Sequence, residues 1–143
     1  IDEPHELLEP TDARGRFIWK RYAEIDSEYK KLLDEALKSV TDDRIILFRY
    51  TENKIAFSSD LANEMIYRYP DRLIILGRES NGEFKLSFRS NSLILPPLIN
   101  KALAGCQGYG GGHEHAAGAC IKAEDFDRFL ENFRALASKT ADL

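Results

Sequence analysis

This sequence has little cysteine, no excess of positive charge and no long hydrophobic run. Its 143 residues contain two cysteines, too few for a disulfide-stabilised scaffold. The formal net charge is −4, which argues against the broad basic surface that non-specific duplex binding requires. Its longest apolar runs, such as 45–48 and 73–76, are far shorter than the roughly 20 residues that cross a bilayer. We therefore expect a cytoplasmic protein that makes no membrane contact.

The N-terminal part of the sequence carries a helical pattern. Between residues 14 and 40, apolar residues recur every three to four positions with charged residues between them, which predicts a long amphipathic helix. The polar run Thr41-Asp42-Asp43 supplies a break after it. We therefore divide the chain into an N-terminal tail and helix at 1–42 and a second domain at 43–143.

After residue 43, short apolar runs alternate with helical patterns, which is typical of an α/β fold. An Asn81-Gly82 pair predicts a hairpin, and the strand after it alternates apolar residues with polar ones such as Arg89. We predict a mixed β-sheet of about five strands flanked by helices and preceded by the long helix. The expected strands include 45–50, 73–76, 84–89 and 116–121, and the expected helices are 58–69, 96–104 and 126–136.

Residues 108–118 form the one stretch that composition would not lead us to expect. They read Gly-Tyr-Gly-Gly-Gly-His-Glu-His-Ala-Ala-Gly, and consecutive residues without β-carbons let backbone N–H groups close on an anion. We predict a loop in which Gly110, Gly111, Gly112 and His113 bind phosphate, the imidazole adding a hydrogen bond. A flexible connection without a ligand is the alternative. Neither a Walker loop nor a dinucleotide-binding fingerprint fits the spacing.

Two further interpretations concern the glycine run at 108–118 and the strand before it. Arg89, in the sequence Ser87-Phe88-Arg89-Ser90, offers a guanidinium fork that suits two phosphate oxygens, although strand arginines also cover sheet faces with their stems. A zinc site is the rival interpretation, because four zinc-competent side chains fall within one short segment. The ligand spacing is unlike that of structural zinc sites, so we assign no metal here. These four side chains are Cys106, His113, His115 and Cys120.

The glycine-histidine run with its Ala116-Ala117-Gly118-Ala119 continuation, and Ser87-Phe88-Arg89-Ser90 upstream, resemble the C-terminal DHH-associated domain of the DHH phosphoesterase family. The branch that it resembles contains RecJ-type exonucleases and their archaeal relatives, and the resemblance covers about residues 43–137. It implies that Gly110, Gly111, Gly112 and His113, assisted by Arg89, hold a phosphate or terminal nucleotide. It also implies that the helix at 14–40 connects this domain to a catalytic DHH domain in cis.

The resemblance further implies divalent metal, manganese or magnesium, in that catalytic domain. The Asp-His-His signature and the acidic metal motifs do not occur in this sequence, which begins with Ile1 rather than Met. We therefore expect a piece of a longer hydrolase, inactive by itself, that binds single-stranded nucleic acid, a short oligonucleotide or a nucleotide. Two alternatives stay open: an interaction module for a replication or repair protein, and the C-terminal domain of an alanyl-tRNA synthetase-like protein. No role is assigned to His115.

Overall fold

The computed structural model describes residues 13–51 and 57–141, and the chain divides into two units after Lys38. The first unit contains α1, Ala13–Lys38, which confirms the predicted long helix. Ion pairs one turn apart lie on its surface, with Lys30 Nζ at 2.9 Å from Asp26 and Lys38 Nζ at 2.9 Å from Asp34. The tail at 1–12 lies outside the described residues, and the domain boundary after residue 42 stays a prediction. No helix in the described ranges combines the length and apolar character needed to span a membrane.

The second unit is an α/β domain with one mixed sheet, as predicted. Its strands follow the order β1-β2-β3-β5-β4, in which β1 and β2 are parallel and the other neighbours are antiparallel. The strands are β1 Ile45–Thr51, β2 Leu73–Ser80, β3 Glu83–Arg89, β4 Gly108–His113 and β5 Ala116–Lys122. The helices are α2 Ser58–Arg68, α3 Leu95–Ala102 and α4 Phe126–Ala141, and a 3₁₀ turn lies at Ala123–Asp125.

Local sequence signals explain most of these boundaries. The β2–β3 hairpin turns at Asn81 and Gly82, both at positive φ (53° and 77°), as the Asn-Gly pair predicts. Prolines occupy the first turn of α3, where their missing N–H groups are not needed. The α2 helix begins directly after Phe57, which makes no side-chain capping hydrogen bond.

The main core lies on one face of the sheet, which α3 and α4 cover. Phe88 on β3 is fully buried and contacts Phe129 and Phe133 of α4, with ring centroids 6.1 and 5.3 Å apart. Phe84 stacks on Phe126 at 4.4 Å. The opposite face of β2 and β3 contacts α2, which buries Leu61, Ala62 and Met65.

The glycine run is a strand and not the loop that the sequence predicts. Residues Gly108–His113 pair with β5 along their whole length and form an edge of the sheet. Glycine weakens a strand when it is considered alone, because it costs backbone entropy and offers no side chain to pack. Here pairing with β5 and close packing under α3 provide the stability that the sequence of β4 lacks.

Candidate functional site

Sheet register brings Arg89 and His113 to one end of the sheet. Arg89 is the β3 partner of Ala116, and His113 is the β4 partner of the same Ala116. Directly opposed residues on neighbouring strands project from the same face, so the two side chains stand on one face about 10 Å apart at their Cα atoms. We call Arg89, Ala116 and His113 the basic row.

The Arg89 guanidinium is held in place by α2. Its Nε donates to Asn63 Oδ1 at 2.9 Å, and its Nη2 donates to Ser59 Oγ at 3.2 Å. Asn63 and Ser59 lie one turn apart on the helix, so they present their oxygens side by side. A third bond runs from Nη1 to the Phe88 carbonyl at 2.9 Å. These bonds fix the plane of the fork and leave two of its five N–H groups for a ligand.

The charge of Arg89 has only neutral acceptors among the described residues: an amide, a hydroxyl and a carbonyl. The side chain is partly buried, and this burial lowers the pKa of the guanidinium below its ordinary value. A partly desolvated cation without a carboxylate partner gains more from an incoming anion than one that is already paired. The arrangement therefore favours binding of an oxyanion at the basic row.

The turn between β4 and β5 is tied to the segment that follows Arg89. Ser90 N–H donates to the His115 carbonyl at 3.2 Å, and Leu95 N–H donates to the Glu114 carbonyl at 2.8 Å. The His115 ring also bonds through Nδ1 to the Leu93 carbonyl at 3.0 Å. His115, to which the sequence assigned no role, therefore helps to hold the strand end that carries His113 beside the strand end that carries Arg89.

The three glycines of the run have different surroundings. A Cβ on Gly110 would lie 2.6 Å from Ile99 Cγ2 of α3, and Gly112 has φ +134°, so packing and backbone conformation require glycine at these two positions. A Cβ on Gly111 would meet nothing within 4 Å. Gly111 pairs with Gly118, so this part of the sheet presents bare backbone on the face that carries the basic row.

Backbone donors of β4 also reach the edge of the sheet. Lys122 N–H donates to the Gln107 carbonyl at 2.9 Å, which marks this residue pair as hydrogen-bonded. Antiparallel pairs alternate, so the N–H groups of Gly110 and Gly112 point away from β5. The predicted amide donors are thus available along a strand edge instead of converging within a loop.

The Ser90 hydroxyl and the Cys120 thiol lie apart from the basic row. Ser90 is buried, and its Oγ accepts the N–H groups of Ser92 and Leu93, so it stabilises the loop. Cys120 is the β5 partner of Tyr109, four residues along β4 from His113. Over residues 13–51 and 57–141, no group of three or more His, Cys, Asp or Glu side chains is placed to hold a metal ion.

A cleft of about 610 Å³ elsewhere in the second unit is a poorer candidate for an anion site than the basic row. Its lining includes Arg44 and Arg72 but also Asp42 and Asp71, so its charges offset one another. Arg72 Nη1 already donates to the carbonyl oxygens of Thr41 and Asp43. Around the basic row, β4 and β5 carry no acidic residue, Glu83 lies six residues from Arg89 on β3, and Glu114 follows His113 in the turn.

Sequence reasoning missed Asn63 and Ser59 as part of the site. No feature of the sequence links Ser59 to Arg89, which lies 30 residues further along the chain. Their i, i+4 spacing was the one available signal, since it places two polar side chains on one face of a helix whose other face is apolar.

Comparisons with known proteins bear on this geometry. A family model described as the DHHA1 domain matches residues 57–139, more than half of the chain. A comparison with curated proteins returns no match. The structure is similar to RecJ from Thermus thermophilus in complex with Mg²⁺, with a TM-score of 0.69 at 19% identity. That match covers 96% of this chain and 22% of the RecJ chain.

Two other solved structures share the fold. Exonuclease RecJ bound to manganese matches with a TM-score of 0.69 at 16% identity, covering 91% of this chain and 34% of that one. The pGpG-specific phosphodiesterase PggH from Vibrio cholerae matches with a TM-score of 0.58 at 20% identity, covering 94% of this chain and 44% of that one. This chain therefore spans about a fifth to less than half of the length of these three structures.

Proposed function

This chain belongs to the DHHA1 domain family, and from that premise we propose that it is the substrate-binding module of a RecJ-like, metal-dependent exonuclease or oligonucleotide phosphodiesterase. The proposed ligand is a phosphate group of single-stranded nucleic acid, of a short oligonucleotide or of a nucleotide. Arg89 and His113 contact its oxygens, and the N–H groups of Gly110 and Gly112 add donors at the strand edge. Gly111 leaves the space for the ligand.

One observation carries this proposal. Arg89 and His113 lie on opposite sides of Ala116 in the same row and on the same face of the sheet. Arg89 is partly buried, is held by neutral groups and keeps two N–H groups for a ligand. A fork fixed in this way loses less side-chain entropy on binding than a mobile surface cation does, so each hydrogen bond to phosphate contributes more.

Hydrolysis requires groups that we assign to another part of the longer protein. We propose a catalytic DHH domain in cis that binds divalent metal, manganese or magnesium, with which RecJ structures have been solved. The bound metal would activate water and stabilise the phosphoryl charge. A cytoplasmic location and a part in DNA repair belong to the same proposal and are supported by the RecJ-like fold.

The test is binding of a 5′-phosphorylated trithymidylate to this chain, measured by calorimetry at low salt. A hydrogen bond to a charged group contributes about 1.5–3 kcal/mol, so we expect Arg89→Ala to weaken binding by about 10- to 150-fold. His113→Ala should weaken binding less, because imidazole supplies a single contact. Both effects should fall as salt is added.

Lys101→Ala is the matched control, because it removes one exposed positive charge from α3, on the other side of the sheet. It should leave the dissociation constant within about twofold of the parent chain, as expected for a remote surface charge. If Arg89→Ala and His113→Ala together bind like the control, the proposal is wrong. In that case the interaction module and the alanyl-tRNA synthetase-like domain become the better hypotheses.

A further inference from the structure

The open face of β4 and β5 extends well beyond the basic row. The next row consists of Ser87, Gly118 and Gly111, and the row after it consists of Lys85, Cys120 and Tyr109. Tyr109 lies four residues from His113, which is about 13 Å along the strand. All three rows share one face, because residues two apart on a strand point the same way.

The Tyr109 ring is exposed, and its hydroxyl lies near the side chain of its cross-strand partner Cys120. The residue is 73% exposed, and single exposed aromatics are common enough to need no explanation. Here, however, the Cys120 thiol hydrogen-bonds Glu83 Oε2 at 3.5 Å, and Cys120 in turn interacts with the tyrosine hydroxyl. This interaction with Cys120, electrostatic first and hydrogen-bonding second, raises the pKa of the Tyr109 hydroxyl. Tyr109 thus has its polar end near β5 while most of the residue remains exposed to solvent.

Between the ring and the basic row, the sheet surface is bare. Gly111 and Gly118 oppose each other there, and a Cβ on Gly111 would meet no atom within 4 Å. Neither packing nor a left-handed backbone requires glycine at 111, in contrast to Gly110 and Gly112. A side chain at 111 would stand above the sheet between Tyr109 and His113. Its absence leaves room for a planar group to approach the backbone beside the ring.

The charges on this face favour binding of a polyanionic ligand. Lys85, Arg89 and Lys122 project from it against Glu83, whereas the chain as a whole has a net charge of −4. Lys85 belongs to the same row as Tyr109. Lys85 and the exposed Tyr109 ring flank Cys120 in one row, about 13 Å along the strands from the basic row. Proteins that bind single-stranded nucleic acid combine such elements, with bases stacked on aromatic rings and phosphates on cations.

We propose that Tyr109 and the Gly111–Gly118 pair form a nucleobase subsite, and that the ligand is a single strand of at least two nucleotides running from the basic row to Lys85. This inference rests on the proposed function, since it takes the basic row as the position of one phosphate. The base stacks on the outer surface of the Tyr109 ring, its sugar lies over the two glycines, and Lys85 meets the next phosphate. Because stacking tolerates any base, the subsite selects for chain length and for the presence of a base, not for sequence.

The test compares two probes on the whole chain: 5′-phosphorylated trithymidylate, and the same strand with abasic spacers in place of the bases. Base stacking on an aromatic side chain corresponds to about 5- to 150-fold in affinity, so the parent chain should prefer the probe with bases by a factor in this range. Tyr109→Ala should remove that preference and leave the abasic affinity unchanged. Tyr109→Phe keeps the ring and should keep most of the preference.

The outcomes separate this inference from the proposed function. If Arg89→Ala weakens binding of both probes but Tyr109→Ala matches the parent chain on both, the base subsite is wrong and the phosphate site stands. If Arg89→Ala leaves the abasic affinity unchanged, the phosphate site itself is wrong. If Tyr109→Ala instead changes the oligomeric state without ligand, measured by light scattering, the face is an interface between copies of the chain and the proposal fails.

Discussion

The two halves of the sheet use their surfaces differently. In the half formed by β1, β2 and most of β3, large apolar residues point to both faces of β1 and β2 and to one face of β3, and Leu73 to Leu76 are 0–3% exposed. In the half formed by β5 and β4, small residues predominate, and Tyr109 and His113 are exposed. Within the second unit, helices cover both faces of the first half and only one face of the other. Burial stabilises the first half, and the open face of the second half is available to a ligand.

This difference shows how one sheet can be stable and still offer a binding surface. The apolar face of β4 and β5 is covered by α3, where small residues permit close packing, as at Gly110 against Ile99. Because the same strands also carry small residues on the opposite face, few side chains project from that face and it stays accessible. The residue that joins the halves is Arg89, which projects from β3, is anchored by α2 and lies beside the open strands.

The largest contrast should come from removing one ring in each half. Phe88→Ala deletes a fully buried side chain that contacts two phenylalanines of α4, so we expect a loss of about 3–5 kcal/mol in the free energy of unfolding. Tyr109→Ala deletes an exposed ring and should change it by less than about 0.5 kcal/mol. Urea unfolding followed by circular dichroism measures both. Equal losses would contradict the division into a stabilising and a binding half.

A smaller contrast lies within the glycine run itself. Gly110→Ala places a methyl group 2.6 Å from Ile99 Cγ2 and 2.9 Å from the Gly118 carbonyl, so overpacking should cost about 1–3 kcal/mol. Gly111→Ala meets no atom within 4 Å and reduces the entropy of the unfolded chain, so its stability should be unchanged or slightly higher. Thermal unfolding of the two variants provides the comparison. Gly111→Ala should nevertheless weaken trithymidylate binding, and unchanged binding would remove Gly111 from the site.

The covered half was largely predictable from the sequence. Alternation of Phe84, Leu86 and Phe88 with polar residues defined β3, and Asn81-Gly82 defined its hairpin, because period-two burial and positive φ are encoded locally. In the half formed by β5 and β4, the sequence predicted β5 at 116–121 but missed β4, because the glycines of β4 carry no hydrophobic pattern. What makes them a strand is the pairing with β5 and the packing of α3, and both are tertiary effects.

The candidate site, too, could be predicted from the sequence only in part. Arg89 and His113 were predicted as anion ligands from residue type and motif, but their placement in one row depends on the register of three strands. Asn63 and Ser59, which hold Arg89, belong to a helix that the sequence connects to β3 only through the fold. Tyr109 was visible in the glycine run, yet a loop gives an aromatic ring no fixed direction, whereas a paired strand does.

The smallest expected effect is a change in the pH dependence of the free energy of unfolding, through Asp43 in the covered half. Asp43 precedes β1 and links it to α4: its Oδ1 accepts the Ile45 N–H at 3.0 Å, and its Oδ2 lies 3.0 Å from Arg134 Nη1. The hydrogen bond from Ile45, with further help from Arg134, holds the pKa of this carboxyl below its ordinary 3.8. Since the folded pKa is the lower one, the carboxylate stabilises the fold above about pH 4 and loses this contribution as the pH falls through the folded pKa.

Asp43→Asn keeps an acceptor for Ile45 but removes the charge, so it should cost less than about 1 kcal/mol at pH 7, because the pair is partly exposed to solvent. The difference from the parent chain should shrink as the pH falls from 5 to 2.5, measured by urea unfolding at fixed ionic strength. Glu131→Gln, an exposed carboxyl change on α4, is the matched control and should show no such trend. A difference that stays constant over this range would mean that Asp43 acts by geometry alone, and that the covered half depends on packing without an electrostatic contribution from this link.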